Sequence, residues 1–264
     1  MKVFIQSDLH YDFFKNDLGY DHQTYFEKFF LPADVLVVAG DFANGLKISL
    51  EIIKYLAQKY KQVILTFGNH DICITPSIEP DFTFSSIYEK ISFAKGEISK
   101  IKNVHLLDGN IFEYDGFKFG GCMGFCDLEI YSEVKQMLKF KWKKWFDGRN
   151  WKGDYSLFND VYEDQTDKMH NCVKTCDMMI THFCPHITAI PPQFSSDINS
   201  AYFYFEMKDF FPEMKAKYWV FGHTHDAYKI EKNGKLFLCN PIGYPFESPF
   251  ELNSLKIEDF LIEV

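Results

Sequence analysis

The sequence predicts an α/β protein built on parallel strands, and three observations predict it. Short continuous apolar runs recur at residues 34–39 (DVLVVA), 63–67 (VILTF) and 218–221 (YWVF), without the alternation of a one-sided sheet. A helical stripe separates the first two runs. Each run stops at a glycine followed at once by Asp, Asn or His. In open α/β sheets ligands collect beyond the carboxyl ends of parallel strands, so these exits are the places to look for a site.

Taken in order, residues 2–5 (KVFI) form a short strand that ends in Ser7-Asp8-Leu9-His10. Residues 11–30 are mixed, with a short helix at their end. The strand at 34–39 stops at Gly40-Asp41. A helix is expected over 46–60, because Leu46, Leu50, Ile53 and Ala57 share one stripe. The strand at 63–67 exits into Gly68-Asn69-His70-Asp71, so the first third reads β–loop–α–β–loop–α–β. Residues 81–100 are partly helical in pattern. Strands at 104–107 and 112–119, the latter turning at Asp115-Gly116, lead into Gly120-Gly121.

From 129 to 174 the chain becomes polar and rich in Lys and Trp, which reads as a helical excursion of the same domain. Met178–Ile180 is a strand ending in Thr181-His182-Phe183. A Pro-, Ser- and Asn-rich loop follows, then a helix near 203–211 and the strand at 218–221, which exits into Gly222-His223-Thr224-His225. A hairpin pairs 227–230 with 236–239 about Asn233-Gly234. Residues 240–249 are turn-rich and 255–264 read as a last strand. No repeat or linker interrupts the chain, and a single domain over 1–264 is expected.

A content of 47% hydrophobic and 18% aromatic residues supplies a well-filled interior. A net charge of −9 disfavours a duplex nucleic-acid binder, which carries a basic footprint. Seven scattered cysteines fit none of the zinc-ribbon spacings and read as free thiols in a reducing cytosol. The first ten residues run straight into a strand rather than a signal peptide, and no apolar run approaches the roughly 18 residues of a transmembrane helix. A cytoplasmic protein with no membrane partner is therefore the expectation.

The exits carry Asp8 and His10, Asp41, Asn69 and His70, His182, and His223 and His225. Residues two apart in extended chain face the same way, so Asp8 with His10, and His223 with His225, are expected to point into one site. Mixed imidazole and carboxylate donors suit Mn²⁺, Fe²⁺, Zn²⁺ or Ni²⁺ better than Ca²⁺ or Mg²⁺. The set is too large for one ion and suits a pair with one carboxylate bridging.

The order D-x-H, G-D, G-N-H-[DE], lone H, G-H-x-H resembles the calcineurin-like metallophosphoesterase superfamily, here as Asp8-Leu9-His10, Gly40-Asp41, Gly68-Asn69-His70-Asp71, His182 and Gly222-His223-Thr224-His225. Ser7, the Ile190-Pro191-Pro192 loop, Asn240-Pro241 and Gly243-Tyr244 extend the likeness towards a subgroup of small bacterial and phage phosphoesterases. It covers 1–71 and 118–245 well, and 72–117 and 129–174 poorly.

The resemblance implies a four-layer αββα sandwich with two divalent transition metal ions, Mn²⁺ favoured. It assigns Asp8, His10 and His225 to the first ion, Asn69, His182 and His223 to the second, and Asp41 to both. A hydroxide shared by ions about 3.5–4 Å apart would attack a phosphomonoester or phosphodiester in line. His70 would stabilise the phosphoryl oxygens and protonate the leaving alkoxide. Asp71 would orient His70 or raise its pKa. The implied substrate is a small phosphate ester or nucleotide. A single-strand nuclease and a non-catalytic scaffold are the alternatives. The chain lacks the G-D-x-V-D-R-G form of the protein phosphatases.

Several residues stand beside this set. His186 reads as a loop residue, and His22, His105 and His170 as ordinary histidines. Asn44 is expected either to touch substrate or to cap the next helix. Residues 135–152 (KQMLKFKWKKWFDGRNWK) interleave cations with Trp142, Trp145 and Trp151. They read first as an amphipathic helix whose aromatics pack on the domain, ahead of a substrate lid, a base-stacking surface or a membrane surface.

Overall fold

The run Val35–Ala39 is buried along its whole length and lies at the centre of a five-stranded sheet. Burying Leu36, Val37 and Val38 contributes about 1.5–3 kcal/mol per side chain. The computed structural model describes residues 1–74, 82–152, 155–190, 196–206, 211–251 and 254–264. The first sheet contains β1 (Lys2–Gln6), β2 (Val35–Ala39), β3 (Gln62–Thr66), β4 (Val104–Leu106) and the C-terminal β11 (Leu261–Glu263), in the order β11-β1-β2-β3-β4. β1 to β4 are mutually parallel and β11 is antiparallel to β1.

The second sheet contains β5 (Asn110–Tyr114), β6 (Phe117–Gly121), β7 (Met178–Ile180), β8 (Tyr218–Phe221), β9 (Tyr228–Lys232) and β10 (Lys235–Cys239), in the order β5-β6-β7-β8-β10-β9. Its four inner strands are parallel, and an antiparallel hairpin closes each edge. Both hairpins turn on the residue pairs expected of them. Asp115-Gly116 and Asn233-Gly234 have positive φ throughout (53°, 78°, 52° and 71°), as the turn that matches strand twist requires.

Helices cover the outer faces. α1 (Tyr11–Asp17) and α2 (His22–Phe29) follow β1, while α3 (Leu46–Ala57) and α4 (Ile87–Ile98) pack on the first sheet. α5 (Lys135–Trp142), α6 (Phe146–Asn150) and α7 (Tyr155–Val173) make up the excursion, and α7 packs on the second sheet. The result is the αββα sandwich of metallo-dependent phosphatases. The segment leaving β10 joins the two sheets. Ser7 N–H donates to Asn240 O (2.9 Å), Ile242 N–H to Ser7 O (3.0 Å) and Gly243 N–H to Asp8 O (3.0 Å), while Asn240 Nδ2 donates to Ile5 O (2.7 Å). The exit of β1 is thereby held against the second sheet.

Two expectations change. Across 203–206 the chain is not helical. Cys184 N–H donates to Phe203 O and Phe205 N–H to Cys184 O, so these backbone groups bond to the loop after β7 instead of closing a helical turn. Residues 207–210 of that expected helix, and Pro191 and Pro192 of the expected loop motif, lie outside the described residues. The last strand is confined to β11, because Lys256 N–H donates to Asp259 Oδ2 (2.9 Å) and closes a 3₁₀ turn over Ile257–Phe260 that buries Phe260. In the excursion, Trp142 and Trp151 are buried and Trp145 is partly exposed, so the tryptophans pack on the protein, while Phe140 stays 71% exposed. All seven cysteines are free and buried. Among the described residues no helix is long and apolar enough to cross a membrane.

Candidate metal centre

Five strand ends converge where the two sheets meet. β1 delivers Asp8 and His10, β2 Asp41, β3 Asn69 and His70, β7 His182, and β8 His223 and His225. The backbone at these exits is not extended. Asp8, His10, Asp41, His223 and His225 have φ of 50°, 41°, 59°, 70° and 54°. Nine non-glycine residues have positive φ among the described residues, and five of them belong to this one set. Such conformations persist only where surrounding structure holds them, and they cluster at functional sites. The glycines beside them leave room for close approach. A Cβ on Gly40 would sit 2.6 Å from Gly68 N, one on Gly68 would overlap the Asp41 carboxylate, and one on Gly222 would sit 2.7 Å from Asp8 Oδ2.

The left-handed turn also changes where the paired histidines go. His225 joins Asp8 and His10, while His223 joins Asp41 and His182, so the two imidazoles of one motif serve adjacent clusters rather than one. In the first cluster His10 Nε2 lies 3.0 Å from His225 Nε2, and Asp8 Oδ1 lies 3.5 Å from His225 Nε2. In the second, His182 Nε2 lies 2.9 Å from Asn69 Oδ1 and 3.3 Å from Asp41 Oδ2. Asp41 Oδ2 is also 3.8 Å from His10 Nε2, which places it between the clusters.

Several donors are turned inwards by a partner behind them, while His10 Nδ1 is buried with none. His182 Nδ1–H donates to Ala39 O (2.8 Å) and His225 Nδ1–H to Glu247 Oε2 (2.7 Å), which aims both Nε2 atoms at the centre. Asn69 Nδ2 donates to the buried Asp147 carboxylate (2.8 Å), leaving its Oδ1 facing in. Trp151 Nε1 donates to Asn69 O (3.1 Å). Asp8 Oδ2 accepts from Ser7 Oγ (2.5 Å) and Asp41 Oδ1 from His70 N–H (2.9 Å).

The donors fit a pair of cations. Imidazole nitrogens, two carboxylates and an amide oxygen suit borderline divalent ions. Asp41 Oδ2 and His223 Nε2 are buried with no hydrogen-bond partner, as atoms awaiting a ligand would be. Titration points the same way. Burial would raise the Asp8 carboxyl, but His225 beside it draws it down to about 2. Burial opposes protonation of His182 and His225, yet Asp41 raises the first to about 9, and Asp8 with Glu247 raises the second to about 10. His223 goes the other way, to about 3, through burial and the neighbouring His182. Protons on His182 and His225 occupy the positions where ions would supply positive charge.

His70 stands at the edge of the centre. Its Nδ1–H donates to Asn44 Oδ1 (2.7 Å), because the Asn44 amide is committed to Asp12 Oδ2 (2.8 Å). Asn44 therefore orients His70 and does not cap α3, whose cap is Gly45. Burial lowers the His70 pKa, and a neutral amide on Nδ1 does little to oppose that.

Asp71 does not reach His70. Its carboxylate accepts from Gly68 N–H (2.7 Å), Asp41 N–H (2.8 Å) and Phe42 N–H (2.8 Å), bracing the two loops that carry Asp41 and Asn69. Burial and the Asp41 charge push its carboxyl up to about 7, while the donors favour the ionised form. His186 lies apart, bonded to Thr188 and Lys232.

Aromatic rings wall the centre. Tyr244 stacks on His10 (centroids 4.4 Å), Phe146 on His70 (4.2 Å), and Phe183 and Phe203 lie over His223 (4.3 and 5.0 Å). Tyr244 Oη lies 3.4 Å from His70 Nε2. A larger cavity of about 550 Å³ between α4, β4 and β5 holds none of these residues.

A sandwich of two parallel-rich sheets with paired Asp/His clusters at its loop edge defines a metal-dependent phosphoesterase class. A family model for calcineurin-like phosphoesterases matches residues 1–227, so this chain belongs to that family and is a phosphoester hydrolase. No curated protein matches the chain. Among solved structures it is similar to phosphopantetheinyl hydrolase from Mycobacterium tuberculosis, with a TM-score of 0.67 and 14% identity over 100% of this chain and 95% of that one. It also matches a putative 5′-nucleotidase from Staphylococcus aureus (TM-score 0.42, 11% identity, 90% of this chain and 48% of that one). A third match is an archaeal phosphodiesterase (0.38, 16%, 98% and 96%). The first likeness supports the fold. The other two are too loose to carry an argument.

Proposed function

We propose that the chain hydrolyses small phosphate esters at a dinuclear centre. Asp8, His10 and His225 hold one divalent ion, Asn69, His182 and His223 the other, and Asp41 is shared between them. The observation that carries this is the position of Asp41 Oδ2, buried, without a hydrogen-bond partner and lying between His10 Nε2 and His182 Nε2. Ions bound there supply Lewis-acid charge to a phosphoryl group and lower the pKa of a water nucleophile. The donor set suits Mn²⁺, Fe²⁺, Zn²⁺ or Ni²⁺, and of these the family resemblance favours Mn²⁺.

The chain's own groups do the rest. His70, held by Asn44 and stacked on Phe146, presents Nε2 at the mouth of the site, where its proton passes to the leaving oxygen. Burial keeps His70 neutral in the free protein, so the negative charge of bound phosphate is what favours its protonated form. Tyr244 packs on His10 beside it and limits the water reaching both. A small ester is favoured over a polymer because Trp142 and Trp151 are buried and unable to stack on bases.

The test is metal-stimulated hydrolysis of p-nitrophenyl phosphate and bis-p-nitrophenyl phosphate by stripped protein given Mn²⁺, Ni²⁺, Zn²⁺ or Mg²⁺ separately. Asp41→Asn is expected to abolish turnover, and the preferred ester separates monoesterase from diesterase. Loss in His70→Ala should shrink for esters with better leaving groups. Turnover surviving in Asp41→Asn would overturn the shared-ligand assignment.

A further inference from the structure

Beside the second cluster lies a cavity of about 180 Å³, lined by Trp145, Ile190, Phe203 and Thr224 together with Asn199 and Asp197. Thr224 separates His223 from His225, and Phe203 lies over the His223 ring, so the cavity adjoins the metal centre. Its volume equals that of about six waters, room for one flat ring system. The walls are arranged for such a ring. Trp145 and Phe203 meet edge to face (6.2 Å, 84°), and Trp145 is backed by Tyr202 (4.8 Å), whose hydroxyl donates to Leu138 O (2.8 Å). Trp145 is thus held in place before any ligand arrives, which reduces the entropy lost on binding.

We infer that this cavity receives the heterocyclic base of a nucleotide whose phosphate lies on the metal centre. An aliphatic alcohol would leave the aromatic corner unfilled. Asn199 and Asp197 also line the cavity and supply polar groups that the edge of a base can hydrogen-bond, whereas a plain aryl group has no such edge. Asp197 Oδ1 accepts from Asn199 N–H (2.9 Å), which ties the two residues into one rim. The inference rests on the phosphoesterase reading for the phosphate and on the cavity alone for the base.

The experiment separates these two dependences. Binding of adenosine, which carries no phosphate, is measured by calorimetry on the full chain with wild type, Trp145→Leu and Asn199→Ala. The ratio of kcat/KM for adenosine 5′-monophosphate over glycerol 3-phosphate is measured on the metal-loaded proteins. Adenosine is expected to bind wild type and to weaken by about tenfold in Trp145→Leu, the usual scale of one lost stacking partner. The kcat/KM ratio should fall by a similar factor, and Asn199→Ala should lower it less. If neither ester turns over, the phosphoesterase reading fails while the adenosine titration still decides the cavity. No adenosine binding by wild type, or a ratio unchanged in Trp145→Leu, overturns the inference.

Discussion

Asp147 offers the sharpest check on how the centre is held together. It lies in the Lys- and Trp-rich excursion, is buried, and accepts the Asn69 amide at 2.8 Å. Without it the Asn69 carboxamide is free to rotate and to turn its nitrogen, which carries no lone pair, towards the second ion. Burial pushes the Asp147 carboxyl up to about 7, so above that pH the bond is to a charged acceptor and contributes about 1.5–3 kcal/mol. At about 1.4 kcal/mol per factor of ten, Asp147→Leu should weaken the second ion by roughly ten- to a hundredfold.

The assay is competitive chelator titration of Mn²⁺ into stripped protein, with thermal unfolding as the control for folding. The first ion, assigned above to Asp8, His10 and His225, should weaken less than the second, since the change reaches it only through the shared Asp41. Asp147→Asn retains an acceptor oxygen and should lose less. Equal weakening of both ions in a folded variant, or weakening of neither, would refute the claim that the excursion positions a metal ligand.

Two further outcomes follow from the same geometry. His182 and His225, raised to about 9 and about 10 in the metal-free protein, must shed protons before Nε2 can bind an ion. Metal affinity should therefore rise with pH through that range, with up to two protons released per chain, read by an indicator dye during titration. The sign for stability is opposite. Because both values lie above the unfolded value near 6.5, these pairs stabilise the metal-free fold fully below about pH 6.5, and the effect is lost as pH rises through 9 to 10, measurable as a falling Tm. Gly68→Ala would drive a methyl group into the Asp41 carboxylate, so metal binding should be lost at both positions even where the chain still folds, as bound-metal analysis would show.

The strand ends were legible because their signals are local. An apolar run, a glycine stop and a polar triplet occupy fewer than ten residues, and each such group observed here does reach the centre. The hairpins were legible for the same reason, since Asp-Gly and Asn-Gly demand the positive φ that they adopt. What could not be read was anything that depends on chain returning from far away. Asp147 is 78 positions from Asn69, and nothing near it marks it apart from an Asp-Gly step in a basic stretch. Glu247 behind His225 and Asn44 behind His70 are visible only once the loops are placed. Asp71 misled because sequence adjacency to His70 suggested contact, whereas its carboxylate points back to the amides of Gly68, Asp41 and Phe42. The helix expected near 203–211 does not form across 203–206 because those backbone groups bond to Cys184, a partner about twenty residues away.

The five left-handed residues at the candidate centre have an evolutionary consequence. Each of Asp8, His10, Asp41, His223 and His225 holds a backbone conformation that glycine adopts freely, at a strain on the order of 1 kcal/mol for a side chain with no compensating contact. Asp8 and Asp41 are also buried charges that a metal-free chain must neutralise with protons. Replacing any one of them by glycine relieves backbone strain, but removing Asp8 or Asp41 alone leaves His225 or His182 without the carboxylate that pairs with it. Strain relief and charge pairing pull Asp8 and Asp41 in opposite directions, so a descendant that abandoned hydrolysis would lose each Asp–His pair together rather than one residue at a time.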